Sequence, residues 1–126
     1  HKVMKVSLTD QSFNWTVAAG NGTAGNTAQQ LSYPQGIFVH NNFTLYIADC
    51  GSNRIQIFQR GSLNGSTKSI TVFPSNASLS CPTGVVLDGD NTMYIVDTNN
   101  HRIIRSNQST FYCVVGCTGS SGSTAN

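Results

Sequence analysis

Two pairs of residues have the types and spacing to do chemistry. Asp49 is followed five positions later by Arg54, and Asp97 by Arg102. A carboxylate and a guanidinium so placed could act as acid and electrophile of a reaction site. A plainer use is structural. An Asp that ends a strand before an Asn- and Gly-rich turn can accept hydrogen bonds from the turn's backbone N–H groups. The Arg can then pair with a neighbouring carboxylate or carbonyl. Because the arrangement occurs twice and catalytic sites are usually singular, no catalytic residue is read from it.

The remaining reactive side chains do not assemble into a site. His1, His40 and His101 show no HxxxH or HExxH spacing, and no CxxC accompanies them. A zinc site needs three or four converging ligands, so neither a metal nor a cofactor is read from the chain. There is no G-x-S-x-G, no P-loop and no pair of acids set for glycoside chemistry. The Gly-rich stretch NGTAGN, residues 21–26, follows a strand without opening a helix. It therefore reads as a loop for ligand contact rather than a phosphate cradle.

Composition narrows the partners. Charged residues are 10% of 126, and glutamate is absent; Asp10, Asp49, Asp88, Asp90 and Asp97 are the only acids. A net charge of +2 spread over seven Lys and Arg is no footprint for nucleic acid. No apolar run is long enough to cross a bilayer as a helix, and no leader is visible ahead of His1. Six N-x-S/T sequons occur, at Asn14, Asn21, Asn42, Asn64, Asn76 and Asn107, where this composition gives about three by chance. Four cysteines, Cys50, Cys81, Cys113 and Cys117, would pair in an oxidising compartment. Sequons and cysteines together point to a secreted or cell-surface protein.

What must position these residues is a repeat. LYIADCGSNRI, residues 45–55, returns as MYIVDTNNHRI, residues 93–103. Residues 33–58 lie over 81–106 without a gap at a shift of 48: Pro34 on Pro82, Gly36 on Gly84, Tyr46 on Tyr94, Asp49 on Asp97, Arg54 on Arg102. A partial third copy opens the chain, since His1-Lys2-Val3-Met4-Lys5 reads like His101-Arg102-Ile103-Ile104-Arg105. His1 and His101 thus hold equivalent positions, which argues for architecture.

Each repeat reads as four strands. PQGIFVH and PTGVVLD open with a Pro–Gly turn signature and run into β-branched residues. LYIAD and MYIVD are short apolar runs with an aromatic, the pattern of a strand buried on both faces. RIQIF and RIIRS follow the turns CGSN and TNNH. ITVF, WTVAA and YCVV supply fourth strands. No segment has helical periodicity, and the fold class is all-β with a period in the forties.

P-x-G followed by Ile or Val, then Leu or Met, Tyr, Ile or Val, Ala or Val, Asp, four residues and Arg-Ile, once per repeat, resembles the NHL-repeat β-propeller family. The resemblance implies blades of four antiparallel strands, the first lining a central channel, in a propeller of about six blades. This chain would hold about two and a half of them. Residues 1–32 would be the end of a preceding blade plus an inter-blade loop, 33–80 one complete repeat, and 81–126 a second with the start of the next loop. The natural protein is expected to be longer, because a partial propeller leaves a blade face and a sheet edge open.

In such blades the turn between second and third strands shares a rim with the start of the next blade. Cys50 lies in that turn and Cys81 just ahead of the next first strand, so a Cys50–Cys81 bridge would staple blade to blade. Cys113 and Cys117 lie on the same rim and could close a small ring. Three pairings remain open from sequence. The function implied is a non-catalytic scaffold displaying inter-blade loops to a protein or glycan partner, alongside the remaining blades of the full-length chain. Two alternatives come with the resemblance. The peptidyl-hydroxyglycine amidating lyase has a related propeller using a channel metal, Tyr and Arg, for which Tyr46, Tyr94, Arg54 and Arg102 are the right types. Intracellular NHL proteins, the tripartite-motif ubiquitin ligases and translational repressors, bind protein or RNA.

Overall fold

The computed structural model describes residues 1–9, 13–59, 69–72, 78–106 and 110–118, with the backbone alone for 69–72. These form strands β1 (Val3–Val6), β2 (Trp15–Ala19), β3 (Pro34–Val39), β4 (Leu45–Asp49), β5 (Arg54–Phe58), β6 (Ser69–Val72), β7 (Pro82–Leu87), β8 (Met93–Asp97), β9 (Arg102–Ser106) and β10 (Phe111–Val115). The strands β3-β4-β5-β6 make one antiparallel sheet and β7-β8-β9-β10 a second, each in simple sequence order. β1 and β2 form a two-stranded sheet. The all-β, four-stranded-blade architecture is the one expected from the repeat. Among the described residues no helix is long and apolar enough to cross a membrane.

The two full blades share a register. Asp49 lies opposite Arg54 and Asp97 opposite Arg102, while Leu45 faces Phe58 and Met93 faces Ser106. Backbone geometry repeats as well. Positive φ occurs at Tyr33 and Cys81, Phe43 and Asn91, and Asn53 and His101, three pairs each separated by the repeat length. The β1–β2 hairpin copies β9–β10: Val3 pairs with Ala19 as Ile103 pairs with Val115, with a register shift in each. Gly20 and Gly116 follow the second strand of each hairpin at φ +75 and +71, where an added Cβ would collide with the carbonyl oxygens of His1 and His101.

One local reading changes. Pro34–Gly36 and Pro82–Gly84 are not turns but the first residues of β3 and β7. Proline is tolerated there because each strand is the edge of its sheet and begins at a register irregularity. The glycine has a packing reason. A Cβ on Gly36 would fall on the Thr83 carbonyl oxygen and within 3.1 Å of the Gly84 Cα. The innermost strands of the two blades therefore meet backbone to backbone.

Alternation along β4 builds two apolar layers. Ala48 joins Ile55, Ile57, Leu79, Val85, Met93, Ile95, Ile104 and Phe111 between the blades, with Tyr46 packed against them. Leu45 and Ile47 face the other way, onto Ala19, Leu31 and Phe58 beside the hairpin. So β4 is enclosed on both faces, as its apolar run requires. β8 is enclosed on one face only: Ile95 is buried, but Val96 is 42% exposed, whereas its counterpart Ala48 is fully buried. The far side of the second blade, with Val86, Val96, Tyr112 and Val115, has no covering layer within the described residues.

Replacing Gly36 by alanine is expected to lower stability by about 1–3 kcal/mol through overpacking. Gly89, around which a Cβ would meet nothing within 4 Å, should change by less than about 0.5 kcal/mol on the same substitution. Urea unfolding of both variants checks the contrast.

Candidate functional site

Asp49 is the last residue of β4, and one turn of 3₁₀ helix, Cys50–Ser52, follows it. Asn53 then takes a left-handed conformation (φ 53), as an Asn can at little steric cost. The chain reverses there, and Arg54 returns directly across from Asp49. The Arg54 Nε donates to Asp49 Oδ2 at 2.8 Å, and both side chains are buried, at 2% and 0% exposure. The guanidinium has further partners. Nη1 donates to the Asn26 carbonyl at 2.6 Å, and Nη2 to those of Thr27 at 3.0 Å and Gln30 at 2.7 Å. The other carboxylate oxygen, Oδ1, accepts from the Ser32 backbone N–H at 2.6 Å.

The pair is therefore a clamp on residues 26–32, the segment leading into β3. Gly51 N–H donates to the Ser32 carbonyl, and Gln56 Nε2 to that of Ala28. Sequence reasoning assigned Asp49 to the N–H groups of its own turn. Instead, its backbone donor lies 17 residues upstream, in the segment that feeds the blade. The second blade repeats the device. Asp97 Oδ2 accepts from Arg102 Nε at 2.8 Å and Oδ1 from Ser80 N–H at 2.7 Å, while Arg102 Nη2 donates to the Ser78 carbonyl at 2.9 Å. Here the turn residue Asn100 also donates to Asp97 Oδ2, and Arg102 is 22% exposed.

Ser32, Ser80 and Asn100 were missed from sequence, as was Gln56. The last carried a signal: it is the one uncharged polar side chain inside the otherwise apolar strand RIQIF, and it is fully buried. A buried amide in such a strand needs a partner.

The histidines are kept apart in separate tasks. His1 Nδ1 accepts from Tyr33 N–H at 3.2 Å, and the two rings meet edge to face at 4.9 Å. Asn53 Oδ1 does the same for Cys81 N–H at 2.8 Å. His101 holds the corresponding position on the second blade, exposed and at φ 51. His40 donates from Nε2 to Asn91 Oδ1 at 2.8 Å, tying the β3–β4 turn to the β7–β8 turn. Among the described residues no three His, Cys, Asp or Glu side chains group as a metal site would. Burial pushes the Tyr46 phenol above its ordinary pKa, further from proton exchange at neutral pH.

Cys50 and Cys81 are joined across the two blades, and Cys113 and Cys117 are joined within the last. Asn14, Asn21 and Asn42 are exposed; Asn64, Asn76 and Asn107 lie outside the described residues. A shallow depression of about 260 Å³ opens on the uncovered side of the second blade, lined by Val96, Thr98, His101, Arg102, Ile103 and Val115.

The family model for the NHL repeat matches residues 31–58 and 79–105, the two stretches that carry the clamps. The chain carries two NHL repeats. Among solved structures, the NHL chain is similar to a catalytically inactive virginiamycin B lyase from Staphylococcus aureus, crystallised with quinupristin. The TM-score is 0.58 at 18% identity, over 89% of this chain. That lyase is a β-propeller, and this chain spans 33% of its length, which makes the present fold a partial propeller. No curated protein matches.

Arg54→Met strands the Asp49 carboxylate in the interior and is expected to cost about 3–5 kcal/mol. Arg102→Met should cost less, since water reaches that pair and Asn100 still serves Asp97. Chemical denaturation of the two variants checks the order.

Proposed function

We propose that this NHL segment is a non-catalytic binding scaffold of a secreted or cell-surface protein, presenting its inter-blade loops to a protein or glycan partner. The observation that carries the reading is the engagement of Arg54 and Asp49: the guanidinium donates three hydrogen bonds to the backbone of loop 26–32 and a fourth to Asp49. Such a loop is pre-organised, so little conformational entropy is lost when a partner docks. Its outward side chains, Asn26, Thr27, Ala28 and Gln29, are exposed and suit polar recognition. The Cys50–Cys81 bond supports an oxidising compartment. Other blades of a longer chain are the natural cover for Val96 and its neighbours, because the same face of the first blade is covered by the second.

A propeller enzyme acting through Tyr46, Tyr94, Arg54 and Arg102 is the competing reading. It needs a guanidinium able to turn toward substrate, whereas both are committed to backbone carbonyls.

Thiol labelling of protein taken from its native source without reductant is expected to find no reactive cysteine; four reactive thiols would remove the extracellular assignment. Replacing Cys50 and Cys81 by alanine should cost about 3–4 kcal/mol, the loop-closure entropy of a bridge this long. Stoichiometric bound metal in the full-length protein would favour the enzyme instead.

A further inference from the structure

Three of the six sequons lie within the described residues, and their surroundings differ. Asn14 directly precedes β2, and its Thr16 is already paired with Lys5 in the ladder. Asn21 and Asn42 sit instead at exposed turns with one shared geometry. The backbone N–H of the sequon threonine donates to the Asn side-chain Oδ1: Thr23 N to Asn21 Oδ1 at 2.9 Å, and Thr44 N to Asn42 Oδ1 at 2.9 Å. This fixes each carboxamide by its oxygen. The Nδ2 of each has no hydrogen-bond partner among the described residues. Space is open around both. A Cβ built on Gly22 meets nothing within 4 Å, and Phe43, between Asn42 and Thr44, is 61% exposed.

The hairpin does not need a carboxamide at Asn42. In the second blade the corresponding turn is Asp88–Thr92, and Asp90 holds the equivalent position. There Asp88 Oδ1 accepts from both Asp90 N–H at 3.0 Å and Thr92 N–H at 2.9 Å. In the first blade His40 Nδ1 takes the first of those bonds at 3.3 Å, and Asn42 Oδ1 takes the second. Only an acceptor oxygen is required, and aspartate supplies one. The amide nitrogen at Asn42 is thus surplus to the architecture.

We propose that Asn42 and Asn21 are N-glycosylation sites of this protein. The inference rests on the secreted or cell-surface reading and adds to it the surface positions that carry sugar. In the reaction the Asn Nδ2 forms a bond to the anomeric carbon of an oligosaccharide joined through a diphosphate to a polyprenol. The sugar–phosphate C–O bond breaks, the polyprenyl diphosphate leaves with the electron pair, and the amide nitrogen loses one proton. Asn42 lies in the β3–β4 turn, at the rim opposite the Cys50–Cys81 bond, and Asn21 follows Gly20 on the disulfide rim. Neither is on a sheet face, so sugars at both leave the blade-to-blade layers clear.

The test is peptide mapping of protein from its native source, treated in heavy-oxygen water with a glycosidase that leaves aspartate in place of a glycosylated Asn. Labelled aspartate at 42 and at 21 is expected; an unlabelled Asn at either position, in protein whose cysteines are disulfide-bonded, overturns that site. Free thiols together with unmodified Asn would instead bring down the secreted reading itself. The variant Asn42→Asp keeps the acceptor for Thr44 N–H and cannot carry sugar. Expressed in the native source, it should be recovered at the level of the unaltered protein and lighter by one glycan. An unchanged mass would reject Asn42.

Discussion

A carboxylate and a guanidinium taken out of water each lose hydration worth several kcal/mol, which their mutual attraction restores only if every remaining donor and lone pair is used. Asp49 and Arg54 find their further partners in backbone. The partners are the carbonyls of Asn26, Thr27 and Gln30 and the N–H of Ser32. The consequence is geometric. A stretch with no strand of its own is held against the β4–β5 turn, and the direction in which β3 leaves it is set. From that direction follow the register of β3 on β4 and the approach of Gly36 to Thr83, hence the packing of one blade on the next.

Because the same bonds recur at Asp97, Ser80 and Arg102, each blade positions its own first strand. The features that do not recur stand out against this frame. Cys50 corresponds to Thr98 and Cys81 to Tyr33, so a covalent link exists at one blade junction, where His1 and Tyr33 make a hydrogen bond and a ring contact at the other. Gln56 corresponds to Ile104, and its extra bond to Ala28 goes to the loop ahead of the first blade. Individual character lies in such single substitutions on a common backbone.

The shared backbone was legible in the sequence because a register is a local property. Once LYIAD and RIQIF are separated by a four-residue turn, Asp49 must face Arg54, and the shift of 48 carries the same pairing to Asp97 and Arg102. Less legible was anything that depends on a distant segment meeting a strand. Pro34 and Gly36 have the composition of a turn, and only the nearness of Thr83 shows why a strand should begin that way. The N–H groups of Ser32 and Ser80 leave no mark on composition or periodicity, since backbone donors are common to nearly every residue. Nor could the apolar run MYIVD reveal that Val96 would be left uncovered, since its pattern matches that of LYIAD and the difference lies in what is packed beside it.

The central claim, that the buried Asp–Arg pairs hold the lead-in segments as part of the fold, is most directly read by native-state hydrogen exchange at the Ser32 and Ser80 amides. Neither lies in a strand, and each donates to a buried carboxylate. Both should exchange only through global unfolding, as slowly as the amides of β4 and β8. Exchange at the rate of an exposed loop amide such as that of Ala24, with β4 and β8 still protected, would contradict it.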